Sequence, residues 1–304
     1  MNPQLQIGLT GHFLLEAVNA ETGERRFLAE FDNLITNGGL DRIGSAAASG
    51  YTGIHYVQVG TGSTAPANTD SALANYLAGT NRSFSYSASY GGNPTYHTEG
   101  TYYWQFDQGA AAGNLSEIGV GWAASGSLFS RALIVDGGGS PTTITVAAIE
   151  FLAVTYKLRM YPPTADVTGT ITMGGVDYDY TIRPAGAGGS LWNSQGVSGL
   201  GGHMYGAVYD GAIGTMTGYP SGASSTVTPS KAVYSSGSYK MAFTLSASIN
   251  QGNLAGGVCS AYLSISAWNG SGQFSWQCQF DPKIPKDNTK TLSLTFDISW
   301  ARKP

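Results

Sequence analysis

Apolar and polar residues alternate with a period of two over much of this chain, and that period predicts strands. Leu152, Val154, Tyr156, Leu158 and Met160 alternate with Thr155, Lys157 and Arg159. Met241, Phe243, Leu245, Ala247 and Ile249 repeat the pattern, as do Leu263, Ile265 and Ala267, and then Leu292, Leu294, Phe296, Ile298 and Trp300. Such runs predict sandwich strands with one dry and one wet face. Residues 12–18 and 24–31 flank a turn-rich link and predict a hairpin, and residues 54–59 predict a further strand. A second hairpin is predicted from 167–173 and 176–182, because the intervening Gly174-Gly175 tolerates the positive φ of a two-residue turn. Helical signals are few. Residues 33–44 end in a short helical turn closed by Gly44. Thr69 or Asp70 as N-cap, Leu73, Tyr76 and Leu77 on one face and Gly79 as stop predict one more helix.

Pro162-Pro163 cannot continue a strand ladder, so the chain divides into a module over 1–161 and another over 164–304. Charge shifts at the same place: residues 1–160 hold 12 acids and 7 bases, residues 161–304 hold 7 acids and 8 bases. The predicted fold is mostly β, two antiparallel β-sandwich-like modules with one or two short helices in the first. Between Pro184 and Ser230 the only charged residue is Asp210. That Gly/Ser-rich stretch, 184–230, carries aromatics and little charge, which points to long ordered loops packed on a sheet or on a neighbouring subunit rather than to disorder.

With 304 residues the chain can bury real cores without staples, and its charged fraction of 11% is less than half of the usual value of about 25%. A net charge of −4 and no basic cluster beyond Arg25-Arg26 argue against a nucleic-acid partner. The longest apolar run, 144–156, is broken by Glu150, so no membrane insertion is expected. Met1-Asn2-Pro3-Gln4 does not read as a secretory signal, and synthesis in the cytoplasm is expected. In that compartment Cys259 and Cys278 are expected as two buried thiols, with pairing open to them on oxidation.

Chemistry-bearing motifs are scarce. No zincin, nucleophile-elbow, P-loop or paired-cysteine pattern occurs, and His12, His55, His97 and His203 are scattered, so no catalytic residue, metal site or cofactor is expected. Gly60-Thr61-Gly62-Ser63-Thr64-Ala65 matches a dinucleotide fingerprint letter by letter, but Pro66 stands where its helix should begin, which leaves a glycine-rich turn. Asp177 and Asp179 project from one strand face roughly 7 Å apart, a spacing open to a cation or to glycosidase carboxylates. Alternation alone also puts them in water, with Tyr178 and Tyr180 on the dry face. Trp192, Tyr205, Tyr209 and Tyr219 are candidate receptor or glycan contacts, because sugars stack on such rings; as plain structure they would be core or interface residues.

Several motifs occur together and in order. They are Asn33-Leu34-Ile35-Thr36-Asn37-Gly38-Gly39-Leu40-Asp41-Arg42-Ile43, Val57-Gln58-Val59-Gly60-Thr61-Gly62-Ser63-Thr64-Ala65-Pro66-Ala67, Leu115-Ser116-Glu117-Ile118-Gly119-Val120-Gly121, Leu128-Phe129-Ser130-Arg131-Ala132 and Val154-Thr155-Tyr156-Lys157-Leu158-Arg159-Met160-Tyr161-Pro162-Pro163. Over much of 30–183 the chain thereby resembles the N-terminal part of structural proteins of tailed bacteriophages, of the tail or tail-fibre type. The resemblance implies a non-enzymatic virion protein, a tail-fibre or tail-tip/baseplate component in host attachment, with the first module docked on the particle and the second facing outward. Its implied partners are other virion proteins, copies of itself in a homotrimer, and host surface polysaccharide. No catalytic residue carries over. A head decoration or neck/collar protein is an alternative, as is a glycan-binding or depolymerising tailspike using Asp177, Asp179 or Asp210.

Overall fold

The computed structural model describes residues 2–45, 53–92, 95–187, 200–268 and 273–303. Strands make up 55% of the chain and helix 3%, so the fold is mostly β. The first half holds β1 (Gln4–Asn19), β2 (Arg25–Asp32), β3 (Leu34–Ile35), the helix α1 (Asn37–Gly44), β4 (Tyr56–Gly60), β5 (Tyr76–Thr80), β6 (Ser85–Gly91), β7 (His97–Gln105), β8 (Gly113–Leu115), β9 (Glu117–Gly121), β10 (Leu128–Leu133), β11 (Ile144–Val146) and β12 (Glu150–Tyr161). After the proline pair come β13 (Val167–Met173), β14 (Val176–Pro184), β15 (Met204–Tyr209), β16 (Ser224–Lys231), β17 (Lys240–Ala247), β18 (Val258–Ser266), β19 (Gln273–Ile284) and β20 (Leu292–Arg302).

One curled sheet runs β13-β14-β19-β18-β15-β16-β17-β20-β1-β12-β7-β6, with β2 on β1. β1 carries the longest alternation: Leu5, Ile7, Leu9, Phe13, Leu15 and Ala17 are buried while their neighbours are not. One edge of β1 pairs with β12. Its other edge is shared, with residues 4–9 running parallel to β20 and residues 12–18 antiparallel to β2. The predicted hairpins 12–18/24–31 and 167–173/176–182 both form.

The sheet folds over at β16, whose first half pairs with β15 and whose second half pairs with β17. A strand that changes partner midway turns the corner of a sandwich. The layer β13-β14-β19-β18-β15 thus faces β17-β20, and Ile182, Leu263, Trp276 and Phe280 share one core with Phe243, Leu245, Phe296 and Ile298. Between the layers, the Leu245 side chain fills the space that a Cβ at Gly206 would take. In the first half, β1, β12 and β7 share a core with a five-stranded sheet, β3-β10-β9-β4-β5, and α1. Thr36 caps α1 by accepting from Gly39 N–H at 2.9 Å. A Cβ at Gly39 would strike the Phe129 carbonyl, so the helix reaches β10 only with glycine there.

The two halves are tied together. Trp300 Nε1 donates to the Leu40 carbonyl and Arg302 Nη2 to Asn37 Oδ1, each at 2.7 Å. Phe129 stacks on Trp268 at 5.2 Å and 9°. Asp41 accepts from Tyr234 Oη and Gly237 N–H, each at 2.6 Å, and from Ser236 Oγ.

Three expectations fail. No helix forms over 69–79, where a turn leads into β5 instead. The reason is the buried Glu117 carboxylate, which accepts the N–H group of Gly62 at 2.9 Å and those of Ala74 and Asn75 at 3.0 and 2.7 Å, the last two being donors that a helix over 69–79 would need for itself. Arg131 donates to Glu117 at 2.7 Å and to Asp70, the expected cap, also at 2.7 Å. Leu73 is buried but Tyr76 and Leu77 are exposed, so the expected single apolar face does not exist. Second, β18 is buried on both faces instead of having a wet one, because the chain over 210–221 lies across it. Third, 184–230 is not all loop, since β15 and β16 lie within it. Gly206 on the dry face of β15 and the Ser/Thr run of β16 hide the alternation. The preferred ordered packing of that stretch on a sheet is present in its described parts; 188–199 lie outside the described residues.

Both cysteines are buried and unpaired, as expected. The fingerprint at 60–65 is a turn whose Gly62 N–H serves Glu117.

Burial alone would raise the Glu117 carboxyl; hydrogen bonds from Asn75 and Ala74 and the Arg131 guanidinium outweigh it and hold the group below its ordinary value of 4.5. Stability from a depressed carboxyl is present above the unfolded value and lost as pH falls through the folded one. We therefore expect Glu117→Gln to lower unfolding stability in urea by about 3 kcal/mol at neutral pH, because it takes away the buried one of Arg131's two carboxylate partners and leaves only the more exposed Asp70. The difference between variant and parent should shrink as the pH drops below 4.5.

Candidate functional site

The outer face of β15-β18-β19 carries the candidate site. Strand register puts Tyr205 opposite Ser264, Ala207 opposite Tyr262 and Tyr209 opposite Ser260, all on one face. Ser275 lies opposite Ser264, and Gln273 opposite Ser266. The apolar alternates, Leu263, Ile265, Phe274 and Trp276, face the core. One sheet therefore has an aliphatic and indole side and a side of tyrosine, serine and glutamine.

The chain after β15 builds the wall. Ser260 Oγ donates to the Gly211 carbonyl at 2.7 Å, Gly214 N–H donates to Gln277 Oε1 at 2.7 Å, and Gln277 Nε2 donates to the Thr215 carbonyl at 2.8 Å. Gln277 is fully buried, so this amide fastens the loop by both of its ends. Tyr219 rides on that loop, its phenol occupying the space that a Cβ at Gly186 would need.

The result is a recess of about 350 Å³ lined by Tyr205, Tyr209, Tyr219, Tyr262, Ser264 and Gln273. Tyr262 is its buried floor, at 4% exposure, against 46% for Tyr205 and 44% for Tyr219. Tyr205 meets the Tyr262 ring at 6.0 Å and 61°, Tyr219 meets it at 5.8 Å and 57°. Both outer tyrosines keep a large part of their surface open to solvent. Beneath them runs a hydroxyl chain: Tyr262 Oη donates to Ser275 Oγ at 2.9 Å, Ser275 Oγ to Ser264 Oγ at 3.0 Å, and Ser264 Oγ to Gln273 Oε1 at 2.7 Å. Burial pushes the Tyr209 and Tyr262 phenols up from their ordinary value, and the neighbouring tyrosines add to it, so these two lining phenols stay neutral across the physiological range.

Three of the four candidate contacts, Tyr205, Tyr209 and Tyr219, thus converge. Trp192 lies outside the described residues. Tyr262, Ser264 and Gln273 were missed, although the alternation that sends Leu263 and Ile265 inward also sends Tyr262 and Ser264 outward. The aspartates go elsewhere. Asp177 accepts from Thr172 Oγ1 at 2.6 Å and Asp179 from Thr170 Oγ1 at 2.7 Å, both across the β13–β14 hairpin. Asp210 accepts from Ala223 N–H at 2.8 Å. Among the described residues, no group of three or more His, Cys, Asp or Glu is placed to hold a metal ion.

No family model matches the chain, and neither curated proteins nor solved structures give a match.

Tyr262→Phe keeps the floor ring but removes the donor that starts the hydroxyl chain. We expect a loss of about 1 kcal/mol of stability in urea unfolding, the usual net worth of one such hydrogen bond.

Proposed function

We propose that this chain is a non-enzymatic structural protein of a tailed-phage virion, a tail-fibre or tail-tip component that contacts the host surface through its second half. The recess of four tyrosines carries this reading: they come from two strands and a loop, and the fold gathers them at an exposed face with hydroxyl and amide groups beneath. Recesses of this size with few convergent polar groups are the usual form of small-ligand sites. The sequence motifs of the first half support particle docking there. They make up its structural joints, since Thr36 and Gly39 seat α1 while Glu117 and Arg131 form a buried ion pair that also binds the Gly62 N–H and the Thr64 carbonyl. A weakly charged, tyrosine-rich exterior also suits self-association, for which a homotrimer is the natural form in a fibre.

A depolymerising activity gains no support from Asp177, Asp179 or Asp210, each of which accepts a hydrogen bond from a neighbouring neutral group. Head decoration and neck or collar placement are separated from the tail by one experiment. Gold-conjugated antibody raised against residues 164–304 should label the tail end of intact particles in electron micrographs. Label confined to the head or neck would replace attachment with a decoration or collar role.

A further inference from the structure

We infer that the tyrosine recess takes an uncharged saccharide unit, with the C–H face of a sugar ring on Tyr219 and its hydroxyls reaching the Tyr209 phenol, Ser264 and Gln273. The inference deepens the attachment reading and rests on it for the source of the ligand.

Charge is the first reason. The lining residues are four tyrosines, a serine and a glutamine, with no acid or base other than the phenols. Charged side chains on the elements around the recess are engaged elsewhere. Asp210, next to Tyr209, turns its carboxylate to Ala223 N–H, and Lys283 Nζ donates to the Asp210 carbonyl at 2.7 Å. Arg183 is clamped between Asp166 and the Gly214 carbonyl. An anionic sugar would lose water without gaining an ion pair, which is a net cost in a partly enclosed site.

The floor supplies the second reason. An aromatic box alone would also suit a quaternary ammonium, which is held by ring faces. Here the Tyr262 hydroxyl begins a chain of hydrogen bonds that ends on Gln273, and three of its members, Tyr262, Ser264 and Gln273, line the recess. Hydroxyls and a carboxamide both donate and accept, which matches a polyol and is wasted on a cation. No carboxylate lines the recess to balance a positive charge. Size is the third reason, since a recess of about 350 Å³ holds one or two sugar rings and not an extended chain.

Full-length protein would be titrated with the methyl glycosides of glucose, galactose, mannose and N-acetylglucosamine, with methyl glucuronide and choline as charged probes. Saturation-transfer NMR is the readout, at low and at high salt. We expect at least one neutral glycoside to bind with no change between salts, since a neutral ligand has no charge to screen. Tyr219→Ala should weaken that binding about tenfold, equivalent to about 1.4 kcal/mol, while Tyr219→Phe should keep most of it. Because Tyr219 is on a surface loop, a circular-dichroism melt equal to that of the parent separates lost contact from lost fold.

The inference is overturned if no neutral glycoside binds, if Tyr219→Ala binds it as well as the parent does, or if only glucuronide or choline binds and salt abolishes it. Particles carrying Tyr219→Ala test the attachment reading separately. If these particles adsorb to cells like the parent while the isolated variant has lost glycoside binding, the attachment reading fails and the saccharide site stands. Impaired adsorption, with no neutral glycoside bound by the parent protein, leaves the attachment reading standing and removes the saccharide site.

Discussion

The whole molecule depends on one strand having two partners along a single edge. β1 gives residues 4–9 to β20, near the end of the chain, and residues 12–18 to its own hairpin partner β2. The change of partner falls at residues 9–11, where Lys303 N–H donates to the Leu9 carbonyl at 2.8 Å and Asn33 N–H to the Gly11 carbonyl at 3.2 Å. Gly11 leaves room at the fork for the Asn33 amide and the Tyr156 phenol, which a Cβ there would displace. Sheet hydrogen bonds satisfy backbone groups that burial would otherwise leave unpaired, and here they bind the first and last strands into one sheet. The β1–β20 pair is the only parallel one among the described strands, and no local turn can make it.

This explains what sequence pattern can and cannot deliver. Local pairing was legible: both predicted hairpins rest on turns of a few residues between alternating runs, and both form. The fork was not, because β1 reads as alternating whichever partner it takes, and nothing in the alternation says that its first six residues belong beside residues 297–302. The false helix at 69–79 is the same lesson in side-chain form. Asp70, Leu73 and Gly79 make a fair local helix signal, and it loses to Glu117, more than 40 residues away, which accepts the N–H groups of Ala74 and Asn75. A buried carboxylate with a guanidinium beside it must collect its hydrogen bonds from somewhere, and here the surrounding loop supplies them.

The candidate site was legible by composition and illegible by geometry. Tyr205 and Tyr209 stand on one strand face and could be paired by period alone. Tyr219 could not, because its position depends on the Gln277 amide holding Gly214 and Thr215, an arrangement with no repeat in the chain. Tyr262 was hidden for the opposite reason. It lies in a strand that reads as ordinary sandwich, and its outward face looks wet until the 210–221 loop is known to cover part of it. Burial of both faces of β18 is what makes Tyr262 a floor instead of another exposed ring.

The recess and the junction lie on one mechanical path. If the second half grips a surface, load entering at Tyr205 or Tyr219 passes through β15 to β16, and across the corner to β17, β20 and β1. The β17–β20 ladder is antiparallel over 240–247, with its hydrogen bonds side by side along the strands, and β20 continues beside β1. Pulled along the strands, such ladders must break many bonds together, whereas a hinge would yield at one linker. Side chains reinforce the same route, since Trp300 and Arg302 at the end of β20 are bonded to α1, and Asp41 of α1 holds Tyr234 and Gly237. Pro162-Pro163 separates the halves in sequence, yet β1 and β20 carry the connection past it. The recess and the first half are therefore joined by a sheet and not by a linker, which is what the proposed attachment role would require of a chain under load.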